Sequence, residues 1–105
     1  PFSAIFFDFA TKWTSNRFSS FTADDLTDAY LKAGNAPPKN PSAYGPIFFK
    51  MSGRGLIYDT KVTEKSKKPQ SHNRQLRVWI SKEFRLKQQN NRKVHYPEFN
   101  LETAV

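Results

Sequence analysis

Apolar residues near the start of the chain recur at Phe2, Ile5, Phe6, Phe9 and Trp13, three and four positions apart, while Asp8 and Lys12 take the opposite side. That is the period of an α-helix with a wide buried face, and it predicts helix 1 over residues 2–16. The Ile5-Phe6-Phe7 run would also suit a strand, but the two charged residues fit the polar side of a helix. Its aromatics are expected in the core or against a second subunit. Residues 17–21 (RFSSF) are short and extended, with Ser19 and Ser20 breaking the helix. Thr22 is a good N-cap for helix 2, and Asp25 stands three residues on in a variant of the capping box. Phe21 and Leu26 take the staple positions around that cap. Leu26, Ala29, Tyr30 and Ala33 form the buried stripe, and Gly34 supplies the stop. Asp24, Asp25 and Asp28 lie near the positive end of the helix dipole, so capping accounts for all three without a metal.

The pattern changes twice between residues 40 and 82. NPSAYGPIFFKMSGRG reads as helix 3, with Asn40 or Ser42 as its cap and Pro41 or Pro46 in its first turn. On a 100° wheel Ala43, Tyr44, Ile47, Phe48 and Met51 share the core side. Ser42, Gly45, Pro46, Phe49, Lys50 and Gly53 share the outer side. Two runs of period two come next: Leu56, Tyr58, Thr60 and Val62 alternate with Ile57, Asp59 and Lys61, then Leu76, Val78 and Ile80 with Arg77, Trp79 and Ser81. The connection between these strands is long, polar and stiffened by Pro69, an extended excursion and not a tight turn. Beyond Trp79, Phe84 and Leu86 alternate with Arg85 and Lys87, which carries the second strand that far. QQNNRK then reads as a mobile basic arm, and Val94, Tyr96, Phe99 and Leu101 as a segment docking onto the body or a second copy.

At 105 residues the chain fits one domain with a modest core, to which ten Phe, four Tyr and two Trp contribute much of the apolar area. Cysteine is absent, which excludes disulfides and thiolate metal sites. No apolar run approaches the roughly 18 residues of a membrane span, and no signal peptide is visible. Pro1 in place of an initiator Met points to a processed or trimmed chain with flanking sequence missing. A cytoplasmic location is expected, nucleoid-associated or in a host cell if the protein is viral.

Charge changes the picture most. The net charge is +8, yet residues 61–93 carry eleven Lys or Arg against two Glu, and the remainder six against seven acids. All of the excess therefore lies in the hairpin and the segment after it. A local positive field of this kind steers anionic polymers to one face; the competing reading is a solvated, solubilising surface. Lys65, Lys67 and Lys68 suit phosphates, while His72 and Arg74 suit a narrow, negative minor groove. The outer side of helix 3 is poor for reading bases, because only Lys50 can bond to a base edge there. Its small residues would let a phosphate backbone approach, and Phe49 would touch a thymine methyl or a protein partner.

These residues resemble the winged helix-turn-helix superfamily over about residues 2–82. Within it, SAYGPIFFKMSGRGLI followed by KSKKPQSHNRQLRVW is similar to small phage and prophage winged-helix domains. There an aromatic-Gly pair opens the third helix and a Ser/His/Arg wing precedes Trp. The resemblance implies an α+β fold of three helices and a two- or three-stranded antiparallel wing, with residues 17–21 as a brief strand against the hairpin. It also implies one domain at residues 1–82, followed by a basic extension at 83–105 that is partly ordered or docks onto the body or a second subunit. In such domains the third helix enters the major groove and the wing contacts the adjacent groove or backbone. That implicates Ser42, Tyr44, Lys50 and Arg54 near the helix, and Lys67, Lys68, Ser71, His72, Asn73 and Arg74 in the wing. Lys65 and Arg77 complete the candidate DNA-binding set.

The expected function is therefore duplex-DNA binding, dominated by phosphates and modest in sequence specificity, in replication, packaging or transcription control. The alternative is a protein-interaction module docking through helix 1 and Phe49, with a homodimer or another protein as partner. Neither a membrane nor a small-molecule substrate is expected as a partner. No catalytic or cofactor-binding constellation is present in the sequence. A His-Asn-His nuclease would need a His base beside metal-binding His or Asp residues, whereas the two His here are 23 positions apart and neither has an acid directly next to it in sequence. RNA stays open as a ligand, since surface aromatics could stack on bases, but no RNA-binding fingerprint appears.

Overall fold

The order of elements reflects where helical period gives way to alternation. The computed structural model describes residues 1–69 and 74–99, the last nine of these by backbone alone. Within them the fold is α+β: α1 (Phe2–Ser15), α2 (Ala23–Lys32), a 3₁₀ turn (Pro41–Ala43), α3 (Gly45–Gly53), β1 (Ile57–Lys65), β2 (Gln75–Ser81) and α4 (Lys82–Phe99). The two strands form one antiparallel sheet.

Three helices and the hairpin share a single core. Phe6 and Ala10 of α1 are fully buried, and Phe6 packs edge-on against Tyr30 of α2 and against Tyr44, both at 5.0 Å between ring centroids. Phe21, Leu26, Ile47, Phe48, Met51, Ile57 and Trp79 complete the buried cluster. Each such side chain contributes about 1.5–3 kcal/mol by leaving water. The buried face of α1 is narrower than its apolar content suggests: Ile5 is 53% exposed, and Thr14 is buried in its place, its hydroxyl donating to the Ala10 carbonyl.

α2 forms as its cap predicts. Thr22 Oγ1 accepts from the Asp25 N–H and Asp25 Oδ2 accepts from the Thr22 N–H, a complete capping box. Gly34 comes just after the helix at φ +94°, a left-handed conformation that favours glycine. Helix 3 is shorter than the sequence suggests. Asn40 caps only the 3₁₀ turn, and α3 starts afresh at Gly45 with Pro46 in its first turn.

Two further corrections concern the hairpin and the segment after it. β1 runs to Lys65 and the Ser66 N–H still bonds to the Arg74 carbonyl, so the excursion is shorter than alternation alone implies. At the other end β2 stops at Ser81. There the buried Ser81 hydroxyl donates to the Arg17 carbonyl at 2.8 Å and accepts from the Phe84 N–H at 3.0 Å. A Ser that accepts from the third N–H of the next segment is a helix N-cap, and the residues beyond it (Lys, Glu, Arg, Leu, Gln) are strong helix formers. Phe84, Leu86 and the Gln88–Gln89–Asn90 stretch are therefore helical, neither strand nor arm. The expected docking of Val94, Tyr96, Phe99 and Leu101 lies outside the described side chains.

Removing this cap should loosen α4 specifically. Ser81→Ala is expected to cost about 1–2 kcal/mol, measured by urea unfolding, with faster amide exchange at Phe84 and Arg85 and unchanged exchange in α1.

Candidate nucleic-acid interface

A two-stranded ribbon needs something to pack on, and beyond the Ser81–Arg17 bond at its base this one is held at three more places. Phe21 and Trp79 exchange both backbone hydrogen bonds, at 2.9 and 2.8 Å, which adds a one-residue bridge to the β2 edge. Ser66, just past β1, is buried and donates to Asp24 Oδ2 at 2.6 Å. The Lys68 ammonium reaches Asp28 Oδ1 at 2.8 Å. Two of the three α2 acids thus fasten the hairpin, and only Asp25 serves the cap.

Mid-hairpin, the ladder is broken by a bulge. Asp59 faces Trp79 and Thr63 faces Arg77, so three β1 residues stand opposite Val78 alone. Lys61 sits there at φ +70°, a left-handed conformation unfavourable for a residue with a Cβ. Side chains replace the lost ladder: Asp59 Oδ1 accepts from the Lys61 N–H at 2.8 Å, and Thr60 Oγ1 donates to the Val78 carbonyl at 2.7 Å. The other carboxylate oxygen, Asp59 Oδ2, takes the Arg77 guanidinium at 2.6 Å. The Lys61 N–H first, then Arg77, hold the Asp59 carboxyl below its ordinary range.

Arg77 also lies 5.7 Å from the ring centre of Phe49, which is 60% exposed. This contact joins the hairpin to the outer side of α3. That side is bare: Ser42, Gly45, Pro46, Phe49, Lys50 and Gly53 are all exposed. Neither Gly45 nor Gly53 has a positive φ, and a Cβ would meet nothing within 4 Å at either. Packing does not require glycine there. Lys50 and Arg54 lean the other way, over the Phe7 ring of α1 at 4.9 and 5.1 Å.

The candidate DNA-binding residues therefore divide. Lys65, Lys67 and Arg74 are exposed, and no carboxylate among the described residues pairs with them. Lys50 and Arg54 are exposed at the end of α3, and Ser42 is exposed but bonded to Asn40 Oδ1. Arg77 is exposed with its charge shared with Asp59. Two candidates face the body instead. Tyr44 stacks edge-on against Phe2 and Phe6, and burial pushes its phenol pKa up. Lys68 is committed to Asp28. Ser71, His72 and Asn73 lie outside the described residues.

Sequence reasoning missed the fastening. The available signal was Asp28, six positions past the Thr22 cap and beyond the first turn where a helix dipole acts, together with a Lys-rich loop able to reach it. Compared with family models, curated proteins and solved structures, the chain matches none.

Both ion pairs imply pH limits. The hydrogen bond to Asp28 raises the Lys68 pKa against the lowering effect of burial. The pair's stabilisation is thus fully present below the unfolded lysine value of about 10.4 and lost as pH rises through the folded value. Asp59 is lowered, so its contribution is present above the unfolded value of about 3.9 and lost as pH falls through the folded one. In thermal melts, Asp28→Asn should flatten the loss of stability above pH 10, and Asp59→Asn the loss below pH 4.

Proposed function

We propose that the chain is a duplex-DNA-binding module built as a winged helix-turn-helix, with the hairpin as its wing. The observation that carries this reading is the set of exposed cations on the hairpin, Lys65, Lys67 and Arg74, which pair with no acid among the described residues, beside a body whose own charges nearly cancel. Cations that stabilised the fold would pair with acids, as Lys68 and Arg77 do. The Phe21 bridge supports the same architecture, since it stands where a winged helix has its brief first strand. The bare outer side of α3 suits close approach to a phosphate backbone, with Lys50 and Arg54 at its margin. It offers little for distinguishing bases. Binding is thus phosphate-dominated, with affinity that falls steeply with salt. The resemblance to phage winged-helix domains would place such a module in replication, packaging or transcription control.

A second reading has one observation behind it. Ile5, Phe9 and Trp13 line a groove on α1 with Asp8, Lys12 and Asn35, and Ile5 is largely exposed. A protein docking there would bind by apolar contact and survive high salt.

Fluorescence anisotropy of a generic duplex of about 20 base pairs, titrated at several salt concentrations, separates the two. Lys65, Lys67 and Arg74 changed together to Ala should lower the salt slope by about 2–3 and weaken binding more than about tenfold. Lys68 stays, because its removal would unfasten the hairpin. Equal binding by wild type and variant would exclude the hairpin as the functional surface.

A further inference from the structure

α4 begins on the hairpin and then leaves it. Phe84 packs against Phe18 at 6.5 Å, and the Arg85 guanidinium lies 4.3 Å from the Tyr58 ring centre. From residue 85 to residue 90 every side chain is exposed, although the helix continues to Phe99. Among its described side chains, Phe84, Arg85 and Lys87 (its ammonium 5.3 Å from the Phe18 ring centre) touch aromatic rings, and the exposed stretch from 85 to 90 is polar except for Leu86, so little apolar burial holds it in that place.

Between α4 and the outer face of the hairpin there is an open cleft. Tyr58, Thr60 and Ile80 form one wall, and Arg85, Gln88 and Gln89 the other. The only acid lining it among the described residues is Asp59, and both its oxygens are engaged, by Lys61 and Arg77. What remains free to donate is a guanidinium, two primary amides and a phenol. These groups bond to phosphate oxygens without reading sequence. Asp59 also lines the shallow depression that holds Lys61, Gln75 and Arg77 on the other side of the bulge. Cleft and hairpin surface are thus continuous around the bulged edge of β1.

We infer that this cleft holds a phosphodiester backbone of the bound duplex, so that α4 grips the nucleic acid beside the hairpin. The inference rests on the DNA-binding reading above and extends it to an element outside the three helices and wing. It gives the bulge a purpose: the strained Lys61 turns the β1 edge where the two surfaces meet.

The test is a pair of variants with matched net charge. Gln88→Glu with Gln89→Glu places two negative charges in the cleft. Lys87→Gln with Asn90→Glu makes the same net change on the opposite side of α4, since by helical period those positions lie half a turn away. All four changes keep residues compatible with a helix. Circular dichroism should confirm equal helicity, and the same duplex anisotropy assay then reads binding. The cleft variant should bind at least about tenfold more weakly with a lower salt slope, while the opposite-face variant stays within about twofold of wild type. Equal weakening by both would mean that overall charge alone matters and would overturn the inference. So would unchanged binding by the cleft variant while the Lys65, Lys67 and Arg74 variant fails, which would leave the DNA-binding reading standing. If that hairpin variant also binds normally, the underlying reading fails first. Displacement of the duplex by poly-glutamate at equal charge, lost in the cleft variant, would mark a site for acidic protein and likewise overturn it.

Discussion

The exchange of two backbone hydrogen bonds between Phe21 and Trp79 is the constraint on which the rest of the structure depends. A lone hairpin is at best marginally stable in water. Here one residue of the α1–α2 connection pairs with β2, and the side chains of that same pair enter the core. Phe21 meets Trp13 edge-on at 5.3 Å, and Trp79 lies against Phe48 of α3 at 6.0 Å. Ile57, buried at the root of β1, adds to the same cluster. The hairpin is therefore an outgrowth of the helical core, and its direction is fixed by contacts from α1, α3 and the segment ahead of α2.

Electrostatics then sorts the cations by task. Near the body, Ser66 and Lys68 meet Asp24 and Asp28, and Arg77 meets Asp59. These pairs are partly exposed and individually weak, but they act where the hairpin could otherwise swing. Farther out, Lys65, Lys67 and Arg74 meet no acid among the described residues. Clustered like charges repel one another, so leaving them unpaired has a cost that folding alone does not offset. An anionic partner of the kind proposed would offset it.

Much of the fold was legible because local signals agreed. Thr22 and Asp25 announced α2, Gly34 ended it, and the wheel separated buried Ile47, Phe48 and Met51 from the bare side of α3, although Ala43 and Tyr44 on the core side fall ahead of the helix and are only half-buried. The failures have physical causes. Alternation at Phe84 to Lys87 looks like a strand, but a buried Ser81 hydroxyl caps a helix there, and burial cannot be read from spacing. The α1 stripe is narrower than its spacing suggests because Ile5 is apolar yet has nothing above it. The α2 acids read locally as capping residues because residues 24 and 28 meet residues 66 and 68 only after the hairpin folds back. For the candidate interface, the net charge of the region was evident from sequence. Which cations are spent internally was not, since that depends on contacts some forty residues apart.

The most direct test of the account is an amide-resolved NMR titration of the whole chain with a short DNA duplex at low salt. The account predicts shift changes concentrated at residues 61–67, at Arg74 and along the outer side of α3, with the Ile5, Phe9 and Trp13 face of α1 unmoved. Changes confined to that α1 face, or none anywhere at saturating duplex, would contradict it.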